Sequence, residues 1–145
     1  MLSSHQASEI LFVAGFGPIT REPNVSYDFY VKTLGLPLKA MEGNQDYFTS
    51  EEEQLSGVKH FALWPLSQAA QSCFGVDHWP ETHLVPQSWI EFEVANLSKA
   101  TQCFINEGYS ILVNERMEPW GQMVTRLLSP EGMLVGLTVT PWLRE

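Results

Sequence analysis

The sequence has few cysteines and few basic residues, and each shortage narrows the classes of protein it could encode. Two cysteines, Cys73 and Cys103, are too few for a disulfide framework or a four-cysteine zinc site, so both are predicted to be reduced, buried thiols. Only 8 lysines and arginines stand against 17 aspartates and glutamates, a formal charge of −9. Such a surface repels phosphate backbones, which argues against nucleic acid or an anionic membrane as the main partner.

Long apolar runs and the common nucleotide and nucleophile motifs are lacking as well. The apolar run from Ile10 to Phe16 is far too short to span a membrane, and the first residues have no basic segment of the secretory type, so a cytoplasmic protein is expected. The sequence has no GxSxG elbow and no Walker loop, and Gly15-Phe16-Gly17 lacks the third glycine of a dinucleotide fingerprint. No cofactor is therefore expected.

The chain does contain enough apolar sequence for one packed domain, with 44% hydrophobic and 12% aromatic residues over positions 1–145. Its strand-like and helix-like segments follow an order that occurs twice. In the first copy, 9–65, we predict a strand at 10–16, a helix at 25–35 and strands at 36–41, 46–51 and 57–65. In the second, 88–141, we predict a strand at 89–94, a helix at 97–107 and strands at 109–114, 124–128 and 134–140. A connector, 66–87, contains a short helix.

This repeated order, βαβββ followed by βαβββ, predicts an α+β fold. A four-stranded sheet with one helix buries only its helix-facing side, so two such modules, or two chains, must come together. Their uncovered faces then curve around a shared cavity.

Four segments taken together resemble the vicinal oxygen chelate superfamily, which includes glyoxalase I, extradiol dioxygenases and bleomycin-resistance proteins. They are FYVKTLGL (29–36), WIEFEV (89–94), PWGQ (119–122) and SPEGMLVGL (129–137). The resemblance covers nearly the whole chain. It implies two βαβββ modules forming an incomplete barrel around a small-molecule pocket, commonly within a homodimer.

The family's metal site has few counterparts in this sequence. In metal-dependent members, His and Glu on the first and last strand of each module hold a divalent ion. This chain has Trp89 where the family has His, Gly136 where it has Glu, and no donor between Ile10 and Phe16. His60 alone could donate, and one imidazole binds divalent ions weakly. These departures from the family's pattern predict that the protein has no metal site.

Strand alternation indicates which side chains face the cavity. On the strand 89–94, the apolar side chains of Ile90, Phe92 and Val94 are assigned to the helix side, which leaves Trp89, Glu91 and Glu93 on the cavity side. We expect the two carboxylates to reach solvent, to pair with Arg126 or Lys59, or to meet a cationic ligand. The catalytic candidates are His60, Glu91 and Glu93, and the candidate ligand-binding residues are Tyr47, Trp64, Trp89, Trp120 and Arg126.

Three functions remain open from the sequence. The first is a metal-independent small-molecule binding protein, similar in architecture to bleomycin-resistance proteins. The second is a lyase or isomerase that uses His60 with Glu91 or Glu93 for proton transfer, which requires these side chains to converge. The third is a structural module, which would be favoured if Trp64, Trp89 and Trp120 filled the cavity.

Overall fold

A computed structural model of the chain describes residues 9–33, 35–51, 54–55, 57–129 and 132–144. The first module consists of β1 (Ile10–Thr20), α1 (Pro23–Tyr27) continued by a π-helical segment (Asp28–Thr33), β2 (Leu38–Met41), β3 (Asn44–Ser50) and β4 (Ala62–Pro65). Helix α2 (Leu66–Phe74) follows. The second module consists of β5 (Ser88–Val94), α3 (Leu97–Asn106), β6 (Val113–Met117), β7 (Met123–Leu128) and β8 (Leu134–Val139), and a 3-10 turn (Pro141–Leu143) comes after it.

The eight strands form one open sheet in the order β2-β3-β4-β1-β5-β8-β7-β6. Each module pairs its first and last strand in parallel, β1 with β4 and β5 with β8, and β1 joins β5 in an antiparallel arrangement. The two halves of the sheet therefore repeat one topology. The predicted α+β fold of two βαβββ modules is confirmed.

The sheet curls so that its two edge strands approach one another. Met41 in β2 and Met117 in β6 lie at opposite ends of the strand order, yet both line the same cavity. Helix α2 spans the remaining gap. Its Gln68 exchanges two amide hydrogen bonds with Asn44 of β3, 2.7 and 2.9 Å long, while Ser72 accepts one from Arg116 of β6 at 3.1 Å. The incomplete barrel is thus bridged by a helix predicted to belong to the connector.

Buried apolar side chains form two clusters in the described part of the chain. One lies under α2 and includes Trp64, Ala69 and Trp89, and the other, formed by Val94, Leu97, Ala100 and Leu137, lies under α3.

Of the two cysteines, Cys73 is buried, whereas Cys103 is only half-buried, contrary to prediction. Among the described residues, no helix is long and apolar enough to cross a membrane.

Strand β1 is longer than predicted, because the pair Gly17-Pro18 does not end it. These residues pair with Trp89 and Ser88 of β5, and the strand continues to Thr20. A Cβ on Gly17 would lie 1.8 Å from the carbonyl oxygen of Ala62, so the glycine is required by close packing between strands.

Other elements also differ from the prediction. Pro23 begins α1, so Asn24 and Ser26 lie inside the helix and do not cap it, and the predicted regular helix becomes π-helical from Asp28. Leu34 lies outside the described residues. Only Ala62–Pro65 forms β4, whereas 57–65 was predicted. Strand β6 begins at Val113, because the backbone N–H of Tyr109 still bonds to Phe104 of the preceding helix. The remaining strands and helices match within two residues.

Candidate functional site

The concave face of the sheet encloses a cavity of about 680 Å³, within the range of roughly 300–1,000 Å³ that is usual for ligand sites. It lies between the two modules, and both edge strands contribute to its lining. Seven of the eight candidate residues predicted from the sequence line it: Tyr47, His60, Trp64, Trp89, Glu91, Trp120 and Arg126.

A buried ion pair lies on the cavity wall. Arg126 Nη1 is 2.9 Å from Glu91 Oε2, and the second oxygen of Glu91 accepts a 2.9 Å hydrogen bond from Gln122 Nε2. The Arg126 guanidinium also lies 4.8 Å from the ring centre of Trp64, a cation–π contact, and the residue is only 1% exposed. Its Nε has no hydrogen-bond partner among the described residues. The pairing of Glu91 with Arg126 is one of the alternatives that the sequence left open.

Gly136 makes room for this ion pair. It is the neighbour of Glu91 on β5 and of Arg126 on β7. A Cβ at position 136 would lie 2.8 Å from Cγ of Glu91, closer than carbon atoms approach without displacement. A carboxylate at position 136 and the present Glu91 conformation therefore exclude one another.

Trp89 forms the wall beside β1. Its indole lies across Gly15, where a Cβ would be 2.9 Å from the ring, and its Nε1 donates a 3.2 Å hydrogen bond to the carbonyl of Ala62. It packs against Trp64 in an edge-to-face arrangement with ring centres 5.8 Å apart. Because Trp89 is only 2% exposed, it gives the cavity a fixed aromatic wall.

His60 and Tyr47 form a hydrogen-bonded pair within the cavity. Tyr47 Oη lies 2.8 Å from His60 Nε2, and Thr49 Oγ1 lies 3.3 Å from His60 Nδ1. Burial lowers the pKa of His60, against a smaller opposing effect from the negative charge of Glu91. Burial, with a further contribution from Glu91, raises the pKa of Tyr47. At neutral pH the pair is therefore an uncharged imidazole beside an uncharged phenol.

The buried imidazole should make the stability of the protein depend on pH. Because the folded-state pKa of His60 is below the ordinary 6.5, the unfolded chain binds more protons as the pH falls past that value. The free energy of unfolding should therefore fall between about pH 6.5 and the folded-state pKa, and it should do so less in His60→Gln. Urea unfolding at about pH 7.5 and about pH 5.5 measures this, with His78→Gln, an exposed histidine, as control. Equal pH dependence in all three proteins would contradict the argument.

Glu93 is not brought to the cavity. Its side chain is fully buried, and it accepts hydrogen bonds from Thr140 N at 2.8 Å, from Thr140 Oγ1 and from Arg144 Nε at 2.6 Å. It therefore fixes the segment after β8. Strand parity correctly grouped Glu93 with Glu91, but the two carboxylates have different partners and different surroundings.

Several cavity residues were missed by the sequence reasoning. The largest omissions are a second ion pair, Arg116–Glu118, with 2.8 Å between nitrogen and oxygen, and the exposed apolar residues Met41, Met117 and Trp142. Gln122 belongs to the PWGQ segment, and that segment was the sequence signal that could have identified it. The others come together only through the curl of the sheet, which no local pattern reveals.

The donor set does not fit a divalent metal. Both oxygens of Glu91 are engaged, Gly136 supplies no donor, and Tyr47 occupies Nε2 of His60. Within the described ranges, no three His, Cys, Asp or Glu residues are grouped as metal ligands would be.

Comparison with known proteins finds similarity in three-dimensional structure only. No protein-family model matches the chain, and no curated protein matches it. Among solved structures, a glyoxalase/bleomycin resistance protein/dioxygenase superfamily member from Vibrio splendidus 12B01 aligns with a TM-score of 0.58 and 18% identity, covering 90% of this chain and 98% of that one. A Streptomyces coelicolor methylmalonyl-CoA epimerase variant in complex with 2-nitronate-propionyl-CoA aligns with a TM-score of 0.54 and 18% identity, covering 92% and 99%.

These structures are covered almost end to end. At such identities the likeness concerns the fold and says nothing of the reaction or ligand. The chain has the fold of the glyoxalase/bleomycin resistance/dioxygenase group, the vicinal oxygen chelate superfamily that its sequence resembles.

Proposed function

We propose that this protein binds a small molecule in its central cavity without the help of a metal ion. The observation that carries the proposal is an open cavity in which Glu91 is paired with Arg126 and is therefore not available as a metal ligand. The guanidinium supplies the positive charge that Glu91 needs in a buried setting. Releasing Glu91 for a metal would leave Arg126 buried and unpaired.

The state of the tryptophans argues against a filled, purely structural module. Trp64 and Trp89 pack into the wall at 7% and 2% exposure, while Trp120 remains 53% exposed at the mouth. About 680 Å³ stays open between them. An open cavity of this size has room for a small molecule.

Ligand-dependent stabilisation tests the proposal. A ligand that binds only the folded state stabilises it by about 2.7 kcal/mol at one hundred times its dissociation constant. A thermal-shift screen of metabolites and antibiotics should therefore find compounds that raise Tm, and EDTA should not change the result. The proposal would be overturned by stoichiometric zinc, iron, nickel or manganese that is retained in His83→Ala and lost in His60→Ala.

A second candidate function, a lyase or isomerase, is favoured by the Tyr47–His60 pair. A neutral imidazole at a ligand cavity can accept a proton, and the Tyr47 hydroxyl bonded to its Nε2 can pass that proton on. Glu91 lines the same cavity but is hydrogen-bonded elsewhere, so any proton relay to it would pass through the ligand. Incubating a bound ligand in D₂O discriminates: deuterium at carbon, lost in His60→Gln, would support catalysis, and its absence would leave binding alone.

We also propose that the protein forms a homodimer. Ile10, Leu11 and Val13 of β1 are 49%, 43% and 40% exposed, which leaves an apolar strip that a second copy could cover. Light scattering after gel filtration would reject the dimer if it gave the mass of one chain at all concentrations.

A further inference from the structure

The charged groups that line the cavity cancel. Glu91 is paired with Arg126 at 2.9 Å, and Glu118 is paired with Arg116 at 2.8 Å. Three of these four side chains are at most 11% exposed, the exception being Arg116 at 43%. Two negative and two positive charges leave a formal sum of zero among the described lining residues, and His60 and Tyr47 are uncharged.

A charged ligand would therefore find no free counter-charge on the part of the wall that the structure describes. Moving an ion out of water into such a site is unfavourable unless an opposite charge or several hydrogen bonds compensate it. A charged ligand would also have to compete with the two existing ion pairs for their charged side chains. The electrostatics favour an uncharged molecule.

The mouth of the cavity is apolar and partly aromatic. Four large side chains are exposed there, Met41 at 43%, Met117 at 59%, Trp120 at 53% and Trp142 at 44%, and we call them the rim. Cζ3 of the Trp142 ring lies 4.0 Å from the Cβ position of Gly121, the residue that follows Trp120. Large apolar side chains gathered around one opening mark a place where an apolar partner is bound.

The rim is connected to the ion pair by hydrogen bonds. Trp120 Nε1 donates to Gln122 Oε1 at 2.8 Å, and Gln122 Nε2 donates to Glu91 at 2.9 Å and to Thr138 Oγ1 at 2.8 Å. These bonds fix the Gln122 amide and, through the indole N–H, hold the edge of the Trp120 ring. The rim therefore offers an oriented aromatic surface, which suits stacking of a flat ring.

We propose that the cavity takes an uncharged molecule with a flat aromatic part, which stacks on Trp120 and Trp142 and directs one hydrogen-bonding group to the Tyr47–His60 pair. The thioether side chains of Met41 and Met117 adapt to the edges of such a ring. The ligand class rests on the proposed binding function and narrows it. It excludes strongly cationic and polyanionic ligands.

Three indoles of similar size and different charge test the ligand class: neutral indole-3-acetamide, anionic indole-3-acetate and cationic tryptamine. We expect the amide to bind at least about tenfold more tightly than either charged probe, as measured by calorimetry. In ¹⁵N-labelled protein, the amide should shift the indole N–H signals of Trp120 and Trp142. Trp79, which donates to the carbonyl of Leu84 and lies outside the cavity lining, should stay unchanged.

Rim variants provide matched controls. Trp120→Ala and Trp142→Ala should each weaken binding of the amide, whereas Tyr109→Ala, which removes an aromatic ring of 48% exposure outside the lining, should not. Arg116→Met should change the preference toward tryptamine, because Glu118 would lose its partner within the cavity.

The outcomes separate this inference from the binding function itself. If either charged probe binds as tightly as the amide, charge selection is wrong while binding stands. If none of the probes shifts Trp120 or Trp142 although the thermal-shift screen yields a ligand, the aromatic class is wrong. If neither experiment yields a ligand, the proposed function fails together with the inference.

Discussion

Arg126→Met is expected to lower the free energy of unfolding by about 3–5 kcal/mol, because it leaves the buried carboxylate of Glu91 without its partner. Methionine keeps most of the apolar stem of arginine, so the loss is chiefly one of charge and hydrogen bonding. The guanidinium contact with the Trp64 ring is lost as well. Since small domains are stable by only about 5–15 kcal/mol, the variant should unfold at visibly lower urea concentration.

A double-mutant cycle isolates the pair. In Glu91→Gln/Arg126→Met neither charge remains, so this variant should be more stable than Arg126→Met alone. Urea unfolding followed by tryptophan fluorescence gives all four free energies. A single variant that loses less than about 1 kcal/mol would show that Arg126 does not hold Glu91 in solution.

Gly17→Ala is expected to lower the free energy of unfolding by about 3 kcal/mol, the upper end of the usual cost of overpacking. Its Cβ would lie 1.8 Å from the carbonyl oxygen of Ala62 and 3.1 Å from Nε1 of Trp89. Backbone cannot turn aside as a flexible side chain can, so β1 and β4 would have to separate. The wall formed by Trp89, which is anchored on that same carbonyl at 3.2 Å, would move with them.

Gly43→Ala is the matched control. Gly43 has φ +82° and nothing within 4 Å of its Cβ position, so alanine there meets only the backbone strain of a left-handed residue, about 1 kcal/mol. Thermal and urea unfolding of the two variants give the comparison. Equal losses of unfolding free energy in the two variants would mean that the backbone at Gly17 can shift to accommodate a Cβ without a large cost in stability.

Regular alternation explains which parts of the site were predictable. In β5 the side chains change sides at every residue, so the apolar set Ile90, Phe92 and Val94 placed Trp89 and Glu91 opposite them, where both line the cavity. The order of elements in each half likewise predicted the fold, which the sheet topology confirms.

The remainder depends on contacts between segments far apart in the sequence. Glu93 shares the side of Glu91 but meets Thr140 and Arg144 from the end of the chain, a contact that strand parity does not encode. Met41 and Met117 reach one opening because the sheet curls. The predicted catalytic and binding roles of His60, Glu91 and the tryptophans stay predictions until a ligand is found.

Helix α2 connects β3 to β6 across the cavity through side-chain hydrogen bonds. Its two attachment points, Gln68 and Ser72, are four residues apart and so lie on one side of the helix, one turn from each other. One turn rises about 5.4 Å, so the spacing of these two anchors is a fixed length of rigid backbone. Adding a single residue between them would rotate one anchor by about 100° and detach an edge strand. The width of the opening thus depends on a segment outside both modules, whose Gln68, Gln71 and Ser72 also line the cavity.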